Sequence, residues 1–125
     1  MRLVVLIVLA MLVFPATAMA EHINRVTTTS SHRTVKRGEL QHITVRTYPV
    51  VADRIQVTVL RRTATGWRRI RKYTRWSWNV WRVNYKAKVK GVYKTRTTAQ
   101  LVLFTDDYYE IIESVSGAST YWRVK

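Results

Sequence analysis

The sequence predicts an all-β domain of six or seven antiparallel strands, a β-sandwich or small barrel, behind a removable N-terminal leader. Three observations carry this. Trp81, Val83, Tyr85, Ala87 and Val89 occupy alternate positions, with Arg82, Asn84, Lys86, Lys88 and Lys90 between them. A period of two sustained this far describes a strand with one buried face, not a helix. Ile55, Val57 and Val59 alternate with Gln56 and Thr58 in the same way. Turn signals at Arg37-Gly38, Thr65-Gly66 and Gly91 separate runs rich in Val, Thr and aromatic residues, and no run has helical periodicity.

The chain begins with Met1-Arg2 and the apolar run Leu3 to Phe14, broken by Pro15 and followed by the small-residue exit Ala18-Met19-Ala20. Charged start, apolar centre and A-x-A site predict a signal peptide over residues 1–20, cut after Ala20, with Ala16-Thr17-Ala18 as a second site. The alternative is a retained anchor, because Leu3 to Ala20 is free of charge and lies at the lower edge of spanning length. Pro15 and the small residues favour cleavage and secretion. The mature product, residues 21–125, is then a single domain able to bury its own core. Losing Arg2 leaves 21 cations against seven acids, a net charge of +14. With no cysteine, neither a disulfide framework nor a lipid-modified cysteine is available, which suits a bacterial exported protein.

Along the mature chain, Glu21 to Arg33 is polar and reads as a loose arm or an edge strand. Leu40 to Tyr48 alternates about Ile43 and Val45 and is ended by Pro49. Arg54 to Arg62 and Trp67 to Trp78 form a hairpin about Thr65-Gly66. The alternating run around Trp81 follows, then a strand from Val92 to Phe104. The turn Thr105 to Asp107 leads into a strand over Tyr108 to Val115, and Ser116 to Lys125 supplies a short edge strand. Trp81 is in phase with the core, as are Trp76 and Trp78 through Ile70. Trp67 and Trp122 are freer to be exposed.

The segment "KGVYKTR", Lys90 to Arg96, resembles the strand of immunoglobulin-like domains that carries a tyrosine corner, with Gly91 and Tyr93 at the defining positions. Thr95 stands where an antibody domain has its second cysteine. The layout is also similar to small exported proteins of Gram-positive bacteria. The shared features are a G-x-W-x-x-I hairpin (Gly66, Trp67, Ile70) and a G-x-Y-x-x-R strand (Gly91, Tyr93, Arg96). The resemblance implies an immunoglobulin-like β-sandwich, with Tyr93 buried and its hydroxyl bonded to backbone near the preceding turn. For such a producer, the anionic partners would be teichoic acids or phospholipid headgroups.

Familiar catalytic arrangements are missing. There is no G-x-S-x-G, no S-x-x-K, no cysteine and no glycine-rich phosphate loop. Ser31 and His32 are sequence neighbours, a spacing that seldom makes a working pair. His22, His32 and His42 are too widely spaced for a metal site on one element. Asp106, Asp107 and Glu110 offer too few oxygens for calcium, and Asp-Asp suits a turn. Glu110 and Glu113 fall on opposite faces of their strand, which does not suit a paired-carboxylate hydrolase. The expectation is therefore a non-enzymatic protein with no cofactor, metal or small-molecule substrate.

The positive signal is the distribution of cations. Arg61, Arg62, Arg68, Arg69, Arg71, Lys72 and Arg75 crowd the hairpin with Trp67 and Trp76. Simple alternation puts Arg69, Arg71, Tyr73 and Arg75 on one outward face. Lys86, Lys88 and Lys90 share a face of the next strand, and Lys94 and Arg96 follow. If these strands lie in one sheet, they make a cationic stripe with aromatic groups in it, suited to phosphates, sugars and bases. A merely solubilising face that discourages edge pairing is the plainer alternative. The expected function is adhesion to anionic envelope polymers or a membrane surface. A bacteriocin-like antimicrobial and an extracellular nucleic-acid binder are the alternatives.

Overall fold

A computed structural model of the chain describes residues 22–49, 51–78 and 80–125. The leader expected over residues 1–20 lies outside the described residues, as does the side chain of Trp78, expected in the core. The described residues form nine strands and no helix. These are β1 (Ile23–Ser30), β2 (Thr34–Val35), β3 (Leu40–Pro49), β4 (Ala52–Thr63), β5 (Gly66–Trp78), β6 (Val80–Lys86), β7 (Gly91–Phe104), β8 (Tyr109–Ser116) and β9 (Thr120–Val124).

The strands divide between two sheets. The smaller has the order β1-β3-β6; the larger runs β2-β9-β7-β4-β5, with β8 also on β7. One edge of β7 is shared, β9 pairing with Gly91 to Thr95 and β8 with Thr98 to Phe104. All pairings are antiparallel except that of β2 with β9, which is parallel. The expectation of six or seven wholly antiparallel strands is corrected in both respects. The two-residue β2 is too short to leave a periodic signal.

The alternating residues supply the core. Ile43 and Val45 of the smaller sheet and Ile55, Val57 and Val59 of the larger are wholly buried in one cluster, giving the layers of a β-sandwich. Each such side chain contributes about 1.5–3 kcal/mol by leaving water. Tyr93 stacks on Trp122 with ring centroids 4.6 Å apart, and Tyr85 packs against both. The Trp122 indole donates to Thr95 Oγ1 at 3.0 Å, so its polar edge is satisfied inside the core. Across the layers, Thr28 Oγ1 donates to Thr97 Oγ1 at 2.9 Å. Buried Gln41 accepts from the His32 backbone N–H and donates to the His32 carbonyl, tying the turn after β1 to β3. The Tyr93 hydroxyl donates to the Val89 carbonyl at 2.6 Å with the ring 1% exposed, as the G-x-Y segment implied.

Of the two readings of Glu21 to Arg33, the edge strand holds, since most of the segment forms β1. Three local expectations change. β9 is not an edge strand: it lies between β2 and β7, and Trp122 is consequently 3% exposed. The run around Trp81 leaves the sheet after Lys86, so Ala87 is buried but Val89 is half exposed. Trp76 is not in the core. It pairs with Arg54 and lies 42% exposed.

Candidate functional site

The cations divide according to strand register. Residues directly opposite on paired strands share a face. β5 pairs regularly with β4 from Trp76 to Arg71, but Arg71 faces Val59 while Arg69 faces Leu60. Ile70 is therefore the extra residue of a β-bulge, and the bulge moves Arg69 to the opposite face from Arg71. Arg71, Tyr73 and Arg75 sit opposite Val59, Val57 and Ile55, on the side turned toward the smaller sheet. Tyr73 packs edge-on against Trp81 of β6, and the Arg71 guanidinium covers the Tyr73 ring at 5.2 Å. The single outward row Arg69-Arg71-Tyr73-Arg75 is thus corrected. Three of the four line the open flank between the layers.

Arg61 and Arg68 pair with each other and lie on that same inward side, Arg61 opposite buried Tyr93. Lys86 belongs to the smaller sheet, and Lys88 and Lys90 to the turn after it, so none continues the row on β5. Burial pushes the Tyr73 phenol above its usual pKa, with Arg71 opposing. Burial likewise raises Tyr85, helped by Tyr93 and Tyr73 and opposed by Arg61 and Arg71. These arginines therefore belong electrostatically to the flank.

A different set converges on the outer face of the larger sheet. Register places Arg54 and Arg62 of β4, Arg69 and Lys72 of β5, Lys94 and Arg96 of β7, and Arg123 of β9 there. No carboxylate among the described residues shares this register. Of the expected cations, Arg62, Arg69, Lys94 and Arg96 belong to this face. Arg54, Lys72 and Arg123 were missed, and the signal that could have found Lys72 was its hairpin pairing with Thr58.

Near the centre of this face is a cleft of about 330 Å³, lined by Gln56, Thr58, Lys72, Arg96, Thr98, Ser116 and Ser119. Two cations and four hydroxyl groups can all donate to an anion. With its amide oxygen turned to the cations, Gln56 accepts from Lys72 Nζ at 3.2 Å and from the Arg54 guanidinium. A second recess of about 320 Å³ beside β9 is bordered by Arg33, Thr34, Val92, Tyr121, Arg123 and Lys125. Between the two, Lys94 Nζ lies 4.4 Å from the centre of the Trp67 ring, and Trp67 packs against Tyr121 at 6.1 Å. Trp67 is exposed, as expected of a residue beside the turn.

The histidines are placed apart. His22 pairs with Glu113 at 2.9 Å, His32 with the Ser31 hydroxyl at 2.9 Å, and His42 with Asn84. Ser31 Oγ also donates to Gln41 Oε1, which makes the Ser31-His32 pair part of the turn after β1. No protein-family model matches the chain, and no curated protein matches it. What the chain does has to be argued from this face.

Proposed function

We propose that the chain is a secreted, non-enzymatic, immunoglobulin-like β-sandwich that adheres to anionic polymers through the outer face of its larger sheet. One observation carries the reading: among the described residues, seven arginines and lysines share that face with no carboxylate, around a cleft of hydroxyl donors. Cations held together without counter-charges repel one another, and a polyanion relieves that repulsion while releasing its own counterions. Lys94 over Trp67 adds an aromatic platform for a sugar ring or base beside the phosphate. The immunoglobulin-like part is supported by the tyrosine corner at Tyr93 and by Thr95 and Trp122 filling the centre of the core. The strand order β1-β3-β6 against β9-β7-β4-β5 agrees with it. Secretion is supported by the leader pattern of residues 1–20.

The test is retention of the mature chain on immobilised polyphosphate, teichoic acid, duplex DNA and anionic vesicles, across salt. Lys72→Glu with Arg96→Glu should weaken retention on the preferred polymer about tenfold or more, since two attractions become repulsions. Lys86→Glu, Lys88→Glu and Lys90→Glu together alter more charge but lie elsewhere, and should weaken it less. On duplex DNA the log–log salt slope should be about −0.9 per phosphate contacted. Equal losses from the two variants would leave only unspecific charge and sink the assignment to this face. Dye release from the vesicles would favour the membrane-active alternative.

A further inference from the structure

From Thr97 to Thr120 the chain has no lysine or arginine, and four of its seven acids, Asp106, Asp107, Glu110 and Glu113, fall there. This segment is the second half of β7 with β8, a hairpin whose turn carries both aspartates. It is also the most apolar exposed part of the described chain. Phe104 is 64% exposed, Tyr108 65% and Ile112 62%, with Leu103, Tyr109 and Ile111 also open. Phe104 and Tyr109 reach Trp76 of their own sheet, at 6.0 and 5.2 Å between ring centroids, yet remain exposed. Arg54 covers Trp76 and Tyr109 and donates to the Tyr109 hydroxyl at 2.8 Å, so the acidic part of this end is the turn at Asp106 and Asp107. Exposed apolar groups of this kind mark a contact surface, and the acidic turn calls for a cationic partner.

Such a partner surface exists at the other end of the same sheet. Trp67, Lys94, Arg62, Tyr121 and Arg123 cluster at the end of the sheet formed by the start of β5, the end of β4, the start of β7 and β9, with the Lys94 ammonium over Trp67 and Trp67 against Tyr121. Lys94 and Phe104 lie on one continuous strand, about 33 Å apart at the rise of extended chain. One copy cannot bring its own hairpin to that cluster. We propose that the Phe104–Tyr109 hairpin of one copy docks on the Trp67–Lys94–Arg123 end of a second copy. The contact is heterologous, joining unlike ends, so it gives a ring where the rotation closes and a filament where it does not. Asp106 and Asp107 make an anionic lipid surface the worse occupant, because like charges meet there. The receiving half rests on the preceding reading of the cationic face, and polyanions compete for it.

Sedimentation velocity of the mature chain over a range of concentrations tests this. Association should be concentration-dependent and should weaken about three- to tenfold near about 1 M salt, where screening acts within ~3 Å. Asp106→Asn with Asp107→Asn keeps turn-forming residues and removes two charges. It should weaken association about three- to tenfold while leaving retention on polyphosphate intact. Two further variants provide a charge swap: Asp106→Lys with Asp107→Lys on one chain, Arg62→Glu with Arg123→Glu on another. Each alone should fail to associate, and the mixture should recover a heteromeric species. A chain that is monomeric throughout overturns the proposal, as does association indifferent to salt and to the aspartates. Loss of polyphosphate retention with association intact would instead sink only the polyanion reading.

Discussion

Tyr93 reaches back four residues to hold the turn that launches its own strand, and its ring supports Trp122. Tyr93→Phe removes the hydroxyl but keeps the ring. The Val89 carbonyl then loses its partner, and stability to urea should fall by about 1–2 kcal/mol. Tyr73 and Tyr85 make a second point at this scale. Both phenols are raised by burial, so the folded state holds their protons more tightly than the unfolded chain does. Their stabilising contribution is complete below the ordinary phenol pKa of about 10 and is lost as pH rises through and above it. In an alkaline absorbance titration the Tyr73 and Tyr85 phenols should titrate late. Denaturation midpoints should fall at higher pH, and Tyr73→Phe with Tyr85→Phe should flatten that part of the profile. Late phenols unaffected by these substitutions would refute the assignment.

Among elements, β5 and the β8–β9 junction show where sequence and structure part company. Strand identity was legible because alternation is a local property of the chain. The buried faces of β3, β4 and β6 follow from it at Ile43, Val57 and Val83. Which side each basic residue of β5 takes was not, because one unpaired residue, Ile70, puts the residues on its two sides in opposite phase. Bulges follow from how two strands meet, and a single strand does not announce them. Trp76 and Arg71 exchanged their expected faces for that reason. Trp122 was assigned to a free tail because nothing local says that it will stack on Tyr93 beneath Tyr85. At the junction, a Cβ on Gly117 would come within 3.0 Å of the Val26 carbonyl oxygen and 3.2 Å of Thr28 Oγ1. Gly117→Ala should therefore cost about 1–3 kcal/mol of stability through overpacking. An equilibrium unfolding curve unchanged by this substitution would mean that β1 yields freely.

Over the whole molecule, net charge conceals its arrangement. The excess of cations was plain from composition, but of those grouped by alternation only Arg69, Lys94 and Arg96 fall on one face of the larger sheet, joined there by Arg62. The gathering of Lys72 with hydroxyls from β4, β7 and the β8–β9 junction was invisible, since it needs strands far apart in sequence. The acids are just as unevenly placed, four of them on one hairpin. The result is a polarised body with a cationic sheet face and an acidic apolar end.

The parallel ladder of β2 with β9, Thr34 to Arg123 and Val35 to Val124, also sets a timetable. The β2–β9 margin of the larger sheet cannot close until Val124 has been made, because β2 waits for β9 and Trp122 arrives with it. Contacts between opposite ends of a sequence are the slow ones to form. The stack of Tyr85, Tyr93 and Trp122 at the centre of the core is therefore among the last parts of the sandwich to assemble.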